Sequence, residues 1–121
     1  MQNLDQLRAA AAAKLLPLGG THPFDRSDVV GLPAHILTNG LLPTFAFCCE
    51  AGKDKRAGMK SACNGIADHL KNRQLTTADT ASTLITELAS RDSQAIQRAT
   101  TETLAFLSYL KRFSLPKDKK P

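Results

Sequence analysis

Apolar side chains recur along the chain at the three- and four-residue spacing of helices rather than in the alternation of strands. The fourth predicted helix has the clearest apolar stripe, which consists of Met59, Ala62, Cys63, Ile66, Ala67 and Leu70. The last helix carries a longer stripe, Ile96, Ala99, Thr103, Phe106, Leu107, Leu110 and Phe113. No stretch alternates with period two for long enough to form a strand. The pattern predicts an all-α protein, a compact bundle of about six helices.

Capping residues define the helices of the first half of the chain. Asn3 caps a first helix with Gln6 at the capping-box position, and its apolar stripe is Leu4, Leu7, Ala11 and Leu15. Ser27 and Asp28 are cap candidates for a second helix. Gly40 ends that helix, because glycine readily adopts the left-handed conformation found after a helix.

Proline, threonine and aspartate mark the remaining boundaries. Pro33 either opens the regular part of the second helix or kinks it, and Pro43 lies in the first turn of the third. Thr76 and Thr77 are the expected caps of a short fifth helix with apolar residues Ala81, Leu84, Ile85 and Leu88. Asp92 is the expected cap of the last helix.

The length of 121 residues suits one domain. We expect a single helical bundle over residues 1–114 and a basic, disordered tail over residues 115–121. The chain has 16 Lys and Arg against 11 Asp and Glu, a net charge of +5. This excess favours polyanions such as nucleic acid but does not identify one.

Hydropathy and cysteine usage indicate the compartment. The longest apolar stretch, Leu41–Cys49, contains Pro43 and is far shorter than the roughly 20 residues of a spanning helix. We therefore expect no membrane partner and no secretory signal. Cys48, Cys49 and Cys63 are odd in number and two are adjacent, which does not fit a disulfide framework. A reducing, cytoplasmic location is expected.

The chain shows no pattern typical of catalysis or metal binding. Its cysteines and its histidines (His22, His35 and His69) lack the close spacing of structural zinc sites, and the apolar stripes favour cysteine as a core residue. Nucleophile, phosphate-loop and paired-carboxylate motifs are missing. A Cys48 nucleophile with His22 or His35 stays open, without support. We expect no enzyme, no catalytic residue, no metal and no cofactor.

The cationic surface provides candidate nucleic-acid contacts. On the fourth helix Arg56, Lys60 and Lys71 lie within roughly 60° of one another, and Lys53 and Lys55 come just before it. Such residues hold phosphates, although the same charges also fit a merely solvated surface.

The last helix carries a second cationic group. Arg98 and Arg112 are only about 40° apart around its axis, and Lys111 lies on a flank. The aromatic residues lie mostly on core stripes, so RNA would be held by its backbone and not by stacking. Alternatively, some aromatics meet a neighbouring subunit; the candidates are Phe45, Phe47, Phe106, Tyr109 and Phe113.

Two segments carry a family resemblance. Residues 32–47, LPAHILTNGLLPTFAF, and residues 99–114, ATTETLAFLSYLKRFS, are similar to the small-subunit family of type III-B (Cmr) CRISPR effector complexes. In this comparison Lys111 and Arg112 match the family's terminal Lys-Arg pair, and Asn39 and Gly40 match its structural turn. Tyr109 departs from the family pattern, where Trp is expected. Pro43 departs as well, because the pattern there usually favours helix.

The resemblance implies a non-catalytic subunit. Members of that family are helical bundles that stack as several copies in the minor filament, beside the backbone subunits that hold CRISPR RNA and the large Cas subunit. Their basic residues contact the backbone of guide and target RNA, and target cleavage belongs to the backbone subunits. Two alternatives remain at this point: a free-standing helical nucleic-acid-binding regulator, and a protein–protein adaptor module.

Overall fold

The computed structural model describes residues 3–50 and 56–116. These residues form seven helices: α1 (Leu4–Leu15), α2 (Arg26–Val29), α3 (Leu32–Asn39), α4 (Leu41–Cys48), α5 (Ala57–Asn72), α6 (Ala81–Ala89) and α7 (Ser93–Phe113). Among the described residues there is no strand, and none of these helices is long and apolar enough to cross a membrane. One of the seven, α2, is a single turn of four residues, so six helices are longer than one turn. The predicted all-α bundle of about six helices is confirmed.

Several helix ends are where the capping signals predict them. The backbone N–H of Gln6 donates to Oδ1 of Asn3 at 2.8 Å, and the N–H of Asn3 donates to Oε1 of Gln6 at 2.8 Å. Asp92 caps α7 by accepting a hydrogen bond from the N–H of Ala95 at 2.9 Å. Gly40, with φ of +96°, separates α3 from α4. Each signal joins residues only a few positions apart, so the sequence alone reveals it.

The second predicted helix is in fact two helices, α2 and α3. The prediction that Ser27 or Asp28 caps it is wrong. Asp25 is the N-cap of α2, and the Asp28 carboxylate accepts a hydrogen bond from the N–H of Asp25 at 2.9 Å. Pro33 stands in the first turn of α3, which begins at Leu32. Because proline has no N–H to continue a preceding helix, it opens a new one here.

The cap of α6 also differs from the prediction. Thr80 caps this helix, and its hydroxyl accepts a hydrogen bond from the N–H of Thr83 at 3.3 Å. The backbone N–H groups of Thr77 and Ala78 instead donate to Glu87, at 3.0 and 2.8 Å. Thr77 therefore belongs to a turn that the side chain of Glu87, on α6, holds in place.

The core lies between α7 and the helices around it. The predicted stripe of α5 is buried from Ala62 to Leu70, and α7 buries Phe106, Leu107 and Leu110 completely. Phe113, at the end of the predicted stripe of α7, is 37% exposed. The apolar core formed by α7 therefore ends at Leu110.

The predicted stripe of α1 is buried in part, since Ala11 and Leu15 pack against the core. Ala12 and Leu16 are buried, whereas Leu4 is 44% exposed. At about 100° per residue, Arg8 lies on the same side of α1 as Ala12. Arg8 forms an ion pair with Glu102 of α7, and this contact turns that side of α1 towards α7.

The end of α7 leads into the predicted tail. Leu115 and Pro116 are half-buried, and the carbonyl of Leu115 accepts a hydrogen bond from the N–H of Arg26 at 2.8 Å. Residues 117–121 lie outside the described part of the chain. The division into residues 1–114 and 115–121 stays a prediction.

We expect Leu107→Ala to lower the free energy of unfolding by about 2–5 kcal/mol, because it leaves a cavity in the core. Leu37→Ala is the matched control, since Leu37 is 74% exposed, and should change stability by less than about 0.5 kcal/mol. Urea unfolding measures both values. Equal losses of stability would contradict the assignment of the α7 core.

Candidate nucleic-acid interface

A buried carboxylate joins three helices at the centre of the bundle. Glu102 of α7 is 5% exposed. Its carboxylate accepts two hydrogen bonds from Arg8 of α1, from Nε and Nη2, both at 2.9 Å. Oε2 also accepts a hydrogen bond from Nε2 of His69 of α5 at 2.8 Å. Such a two-pronged arginine–carboxylate pair fixes both partners in direction as well as distance.

The protonation states of this network follow from its contacts. Burial raises the pKa of Glu102, but the hydrogen bonds from Arg8 and His69 outweigh it and hold that pKa below its ordinary range. Burial lowers the pKa of His69, and the hydrogen bond with Glu102 only partly opposes this. Glu102 is therefore ionised and His69 neutral at pH 7. Because an ionised carboxylate only accepts hydrogen bonds, Nε2 of His69 carries the proton.

An open groove of about 570 Å³ lies beside this network. Its walls come from α1, from the chain after α5 and from the first half of α7; the lining residues are Leu4, Arg8, Arg73, Leu75, Gln94, Gln97, Arg98, Thr101 and Glu102. The groove thus brings three arginines and several neutral polar side chains together.

The turn after α5 places one wall of this groove. Gln74 has φ of +62°, in the left-handed region. The N–H of Leu75 donates to the carbonyl of Leu70 at 3.0 Å, and the N–H of Gln74 donates to that of Lys71 at 2.9 Å. These two hydrogen bonds form a helix-ending turn in which glycine usually occupies the left-handed position. The turn sets Arg73 and Leu75 on the groove.

The predicted cationic residues of α7 lie on its outer side. Arg98, Lys111 and Arg112 are all exposed. Arg98 lines the groove, and its Nη2 is 3.5 Å from Oε1 of Gln94. Arg112 lines a separate cavity of about 380 Å³ together with Ala13, Leu16, Leu18, Gly19, His22, Phe113 and Leu115.

The predicted cationic residues around α5 are in different environments. Lys60 is exposed, and Nζ of Lys71 is 4.0 Å from Oδ2 of Asp79. The guanidinium of Arg56 lies 3.6 Å from the centre of the Phe47 ring. Its Nη1 donates to the Phe47 carbonyl at 3.0 Å, and it also pairs with Glu50. Lys53 and Lys55 lie outside the described residues.

The cysteines and histidines make internal contacts. Cys48 and Cys63 are buried, and contact with Cys48 together with burial raises the pKa of the Cys63 thiol. Nε2 of His22 is 3.0 Å from the carbonyl of Pro17. In residues 3–50 and 56–116, no group of His, Cys, Asp and Glu side chains could hold a metal ion.

Sequence reasoning missed Arg8, Arg73 and Glu102. Arg8 and Glu102 are 94 positions apart, so no local pattern connects them. One signal was present: Glu102 stands beside Thr103 on the apolar side of the last helix. A carboxylate in that place indicates a buried ion pair, but its partner is set by the tertiary fold.

The described residues define a small helical bundle whose cationic side chains lie mainly on its outer faces. A family model described as CRISPR-associated protein (Cas_Cmr5) matches residues 26–115. Since this match covers more than half of the chain, the protein belongs to the Cas_Cmr5 family of type III-B small subunits, which confirms the resemblance. It is a CRISPR-associated subunit of a Cmr complex. Comparison with curated proteins and with solved structures gives no match.

We expect Arg8 and Glu102 to be energetically coupled, because their charges are held together away from water. Arg8→Met and Glu102→Gln should each destabilise the protein, and the double variant should lose less stability than the sum of the two. A coupling energy of about 0.5–3 kcal/mol is expected from urea unfolding of all four proteins. Strict additivity would contradict the ion pair.

We expect the free energy of unfolding to fall as the pH is lowered from 7 to 5. His69 has a folded-state pKa below its ordinary 6.5, so below about pH 6.5 the unfolded chain binds a proton that the folded chain refuses. The lowered pKa of Glu102 acts in the same direction at lower pH, where its ionised form is lost. His69→Gln should flatten the pH 7–5 part of a urea-unfolding series. An unchanged slope would contradict a neutral, buried His69.

Proposed function

We propose that this chain is the non-catalytic small subunit of a type III-B CRISPR RNA-guided effector complex in antiviral defence. It stacks with further copies of itself in the minor filament and holds guide and target RNA by sequence-independent backbone contacts. The match of residues 26–115 to the Cas_Cmr5 family carries this proposal. Its partners are the backbone and large Cas subunits and the CRISPR and target RNA, in the cytoplasm.

The distribution of charge supports RNA contact through the backbone. The chain has a net charge of +5, and Arg98, Lys111 and Arg112 are exposed on α7. Lys and Arg neutralise phosphates whatever the base sequence, whereas base pairing between guide and target reads the sequence. We propose the same contact for Lys60 and Lys71, and for Lys53, Lys55 and Arg56 before α5.

Exposed apolar side chains support contacts with other subunits. Leu18 is fully exposed, and Leu37 and Phe113 are 74% and 37% exposed. Tyr109 packs against Phe113 edge to face, with ring centres 6.1 Å apart. Leu18 and Phe113 line the same cavity, and exposed apolar groups that lie together are commonly covered when a protein assembles. This supports a role as a subunit in a filament over a role as a free-standing regulator.

The absence of catalysis is part of the proposal. Members of the family are in general small non-catalytic subunits. Cys48, a nucleophile candidate, is buried, and Nδ1 of His35 lies 2.8 Å from Oγ1 of Thr44. A buried thiol that water and substrate do not reach is a poor nucleophile. We therefore propose that the subunit binds and positions RNA and leaves cleavage to other subunits.

We expect Lys111→Ala with Arg112→Ala to weaken RNA binding by a reconstituted Cmr complex without unfolding the bundle, since both side chains are exposed. Mobility shifts at about 50 and 200 mM salt give the slope of log affinity against log salt. This slope should become shallower by about one for each phosphate that the variant no longer neutralises. Lys14→Ala is the control, because Lys14 is an exposed cation outside the proposed set.

Two results would contradict this proposal. Sequence-specific, salt-tolerant binding would point to a free-standing regulator, which reads bases. If the complex containing the wild-type chain binds no RNA even at low salt, a protein–protein adaptor would be the better description. A large drop in the melting temperature of the double variant would show that this face of α7 belongs to the core.

A further inference from the structure

The groove between α1, the end of α5 and α7 has an excess of positive charge. Arg8, Arg73 and Arg98 line it, against the single carboxylate of Glu102. His69, which bonds to that carboxylate from the interior, is neutral because burial lowers its pKa. Arg8 also pairs with Asp5, whose Oδ1 lies 3.3 Å from Nη1. One positive charge is therefore left over, and a phosphate group would balance it.

Two of these arginines keep hydrogen-bond donors for a ligand. Glu102 is already occupied by Arg8 and His69, and Nε of Arg73 is 3.8 Å from its Oε1, beyond hydrogen-bond distance. This Nε is buried and has no hydrogen-bond partner among the described residues. Arg98 is exposed and its one described contact, with Gln94, is long at 3.5 Å. Arg8, in contrast, is fixed by Glu102 and acts as a positioning residue.

The other lining residues fit a phosphodiester backbone. Gln94, Gln97 and Thr101 are exposed neutral hydrogen-bonding groups on the same wall as Arg98. Together they are the residue types that contact phosphate and sugar oxygens. No aromatic ring is among the residues that line the groove, so bases have no surface to stack on.

The groove continues a polar stripe along α7. Arg98 and Arg112 differ by about 40° around the helix axis and by about 21 Å along it. Thr101 and Ser108, both exposed, lie between them on this stripe. A polymer with regularly spaced negative charges can contact both Arg98 and Arg112, whereas an isolated acidic side chain of a protein would contact only one of them.

We propose that the groove of Arg8, Arg73 and Arg98 binds the phosphodiester backbone of RNA, with Arg73 and Arg98 donating to phosphate oxygens. This inference rests on the proposed function and deepens it by adding a contact site that the resemblance does not assign. Arg8 lies outside the residues matched by the family model, which begin at residue 26. The site therefore joins α1 to the matched helices α5 and α7.

The test compares groove variants in the reconstituted Cmr complex with wild type. Arg73→Gln with Arg98→Gln should make the salt slope of RNA binding shallower by about two, equally for uridine and adenosine homopolymers. Arg98→Glu, at an exposed position, should weaken binding without lowering the melting temperature. Arg98→Lys should retain wild-type binding, because a point charge is enough for a phosphate. Lys14→Glu is the charge-matched control and should show only the small, nonspecific weakening that any added negative charge produces.

A second measurement observes the site directly in the isolated chain. On titration with a uridine oligonucleotide, the side-chain Nε–Hε signal of Arg73 in a proton–nitrogen spectrum should shift as a phosphate binds the exposed part of its guanidinium. The shift should be missing when the oligonucleotide is added to the Arg98→Glu variant at the same concentration. An Arg73 signal that stays in place while the wild-type chain binds would overturn the assignment.

The outcomes separate this inference from the proposed function. If the wild-type complex binds RNA and the Arg73 and Arg98 variants behave like Lys14→Glu, the groove is not an RNA site and the proposed function stands. If the isolated variant chains bind the uridine oligonucleotide as wild type does but fail to enter the complex, the groove holds an acidic protein segment and the inference is wrong. If the wild-type complex itself shows no salt-dependent RNA binding, the proposed function fails first.

Discussion

The carboxylate of Glu102 is a negative charge held almost out of water in the middle of a small helical bundle. Removing such a charge from water costs several kcal/mol, so the arrangement is stable only while its partners stay in place. Arg8 supplies a two-pronged ion pair from α1, and His69 supplies a neutral N–H from α5. One side chain therefore helps to fix the relative positions of three helices.

The same network decides which cations can serve a ligand. Arg8 and His69 occupy Glu102, whereas Nε of Arg73 has no hydrogen-bond partner among the described residues and Arg98 is exposed. Elsewhere, Arg56 lies over the Phe47 ring and pairs with Glu50, so only part of its charge remains for the RNA contact proposed above. The cations of this protein thus divide into those that hold helices together and those that remain for a polyanion. Only the contacts, and not the count of charges, make this division.

Parts of the candidate site were readable from the sequence and parts were not. Arg98 and Arg112 were found because helical periodicity places them about 40° apart on the side of the helix away from the Phe106–Leu110 stripe. Arg73 was missed because the left-handed turn at Gln74 brings it to the groove. No glycine stands at that position to indicate such a turn in the sequence. Arg8 was missed because its partner is 94 positions away.

Helix type and most helix ends follow from interactions between residues at most four positions apart. The capping box of Asn3, the left-handed Gly40 and the apolar stripe of α5 all depend on such short-range interactions. The segment of residues 99–114 that resembles the family is likewise a pattern of closely spaced residues. The break between α2 and α3 was predicted only in part, since Pro33 could either open a helix or kink one. The groove and the burial of Glu102 depend on contacts between helices far apart in the chain. Only the packed structure decides these, because a buried charge selects its partners by distance in space and not by spacing in the sequence.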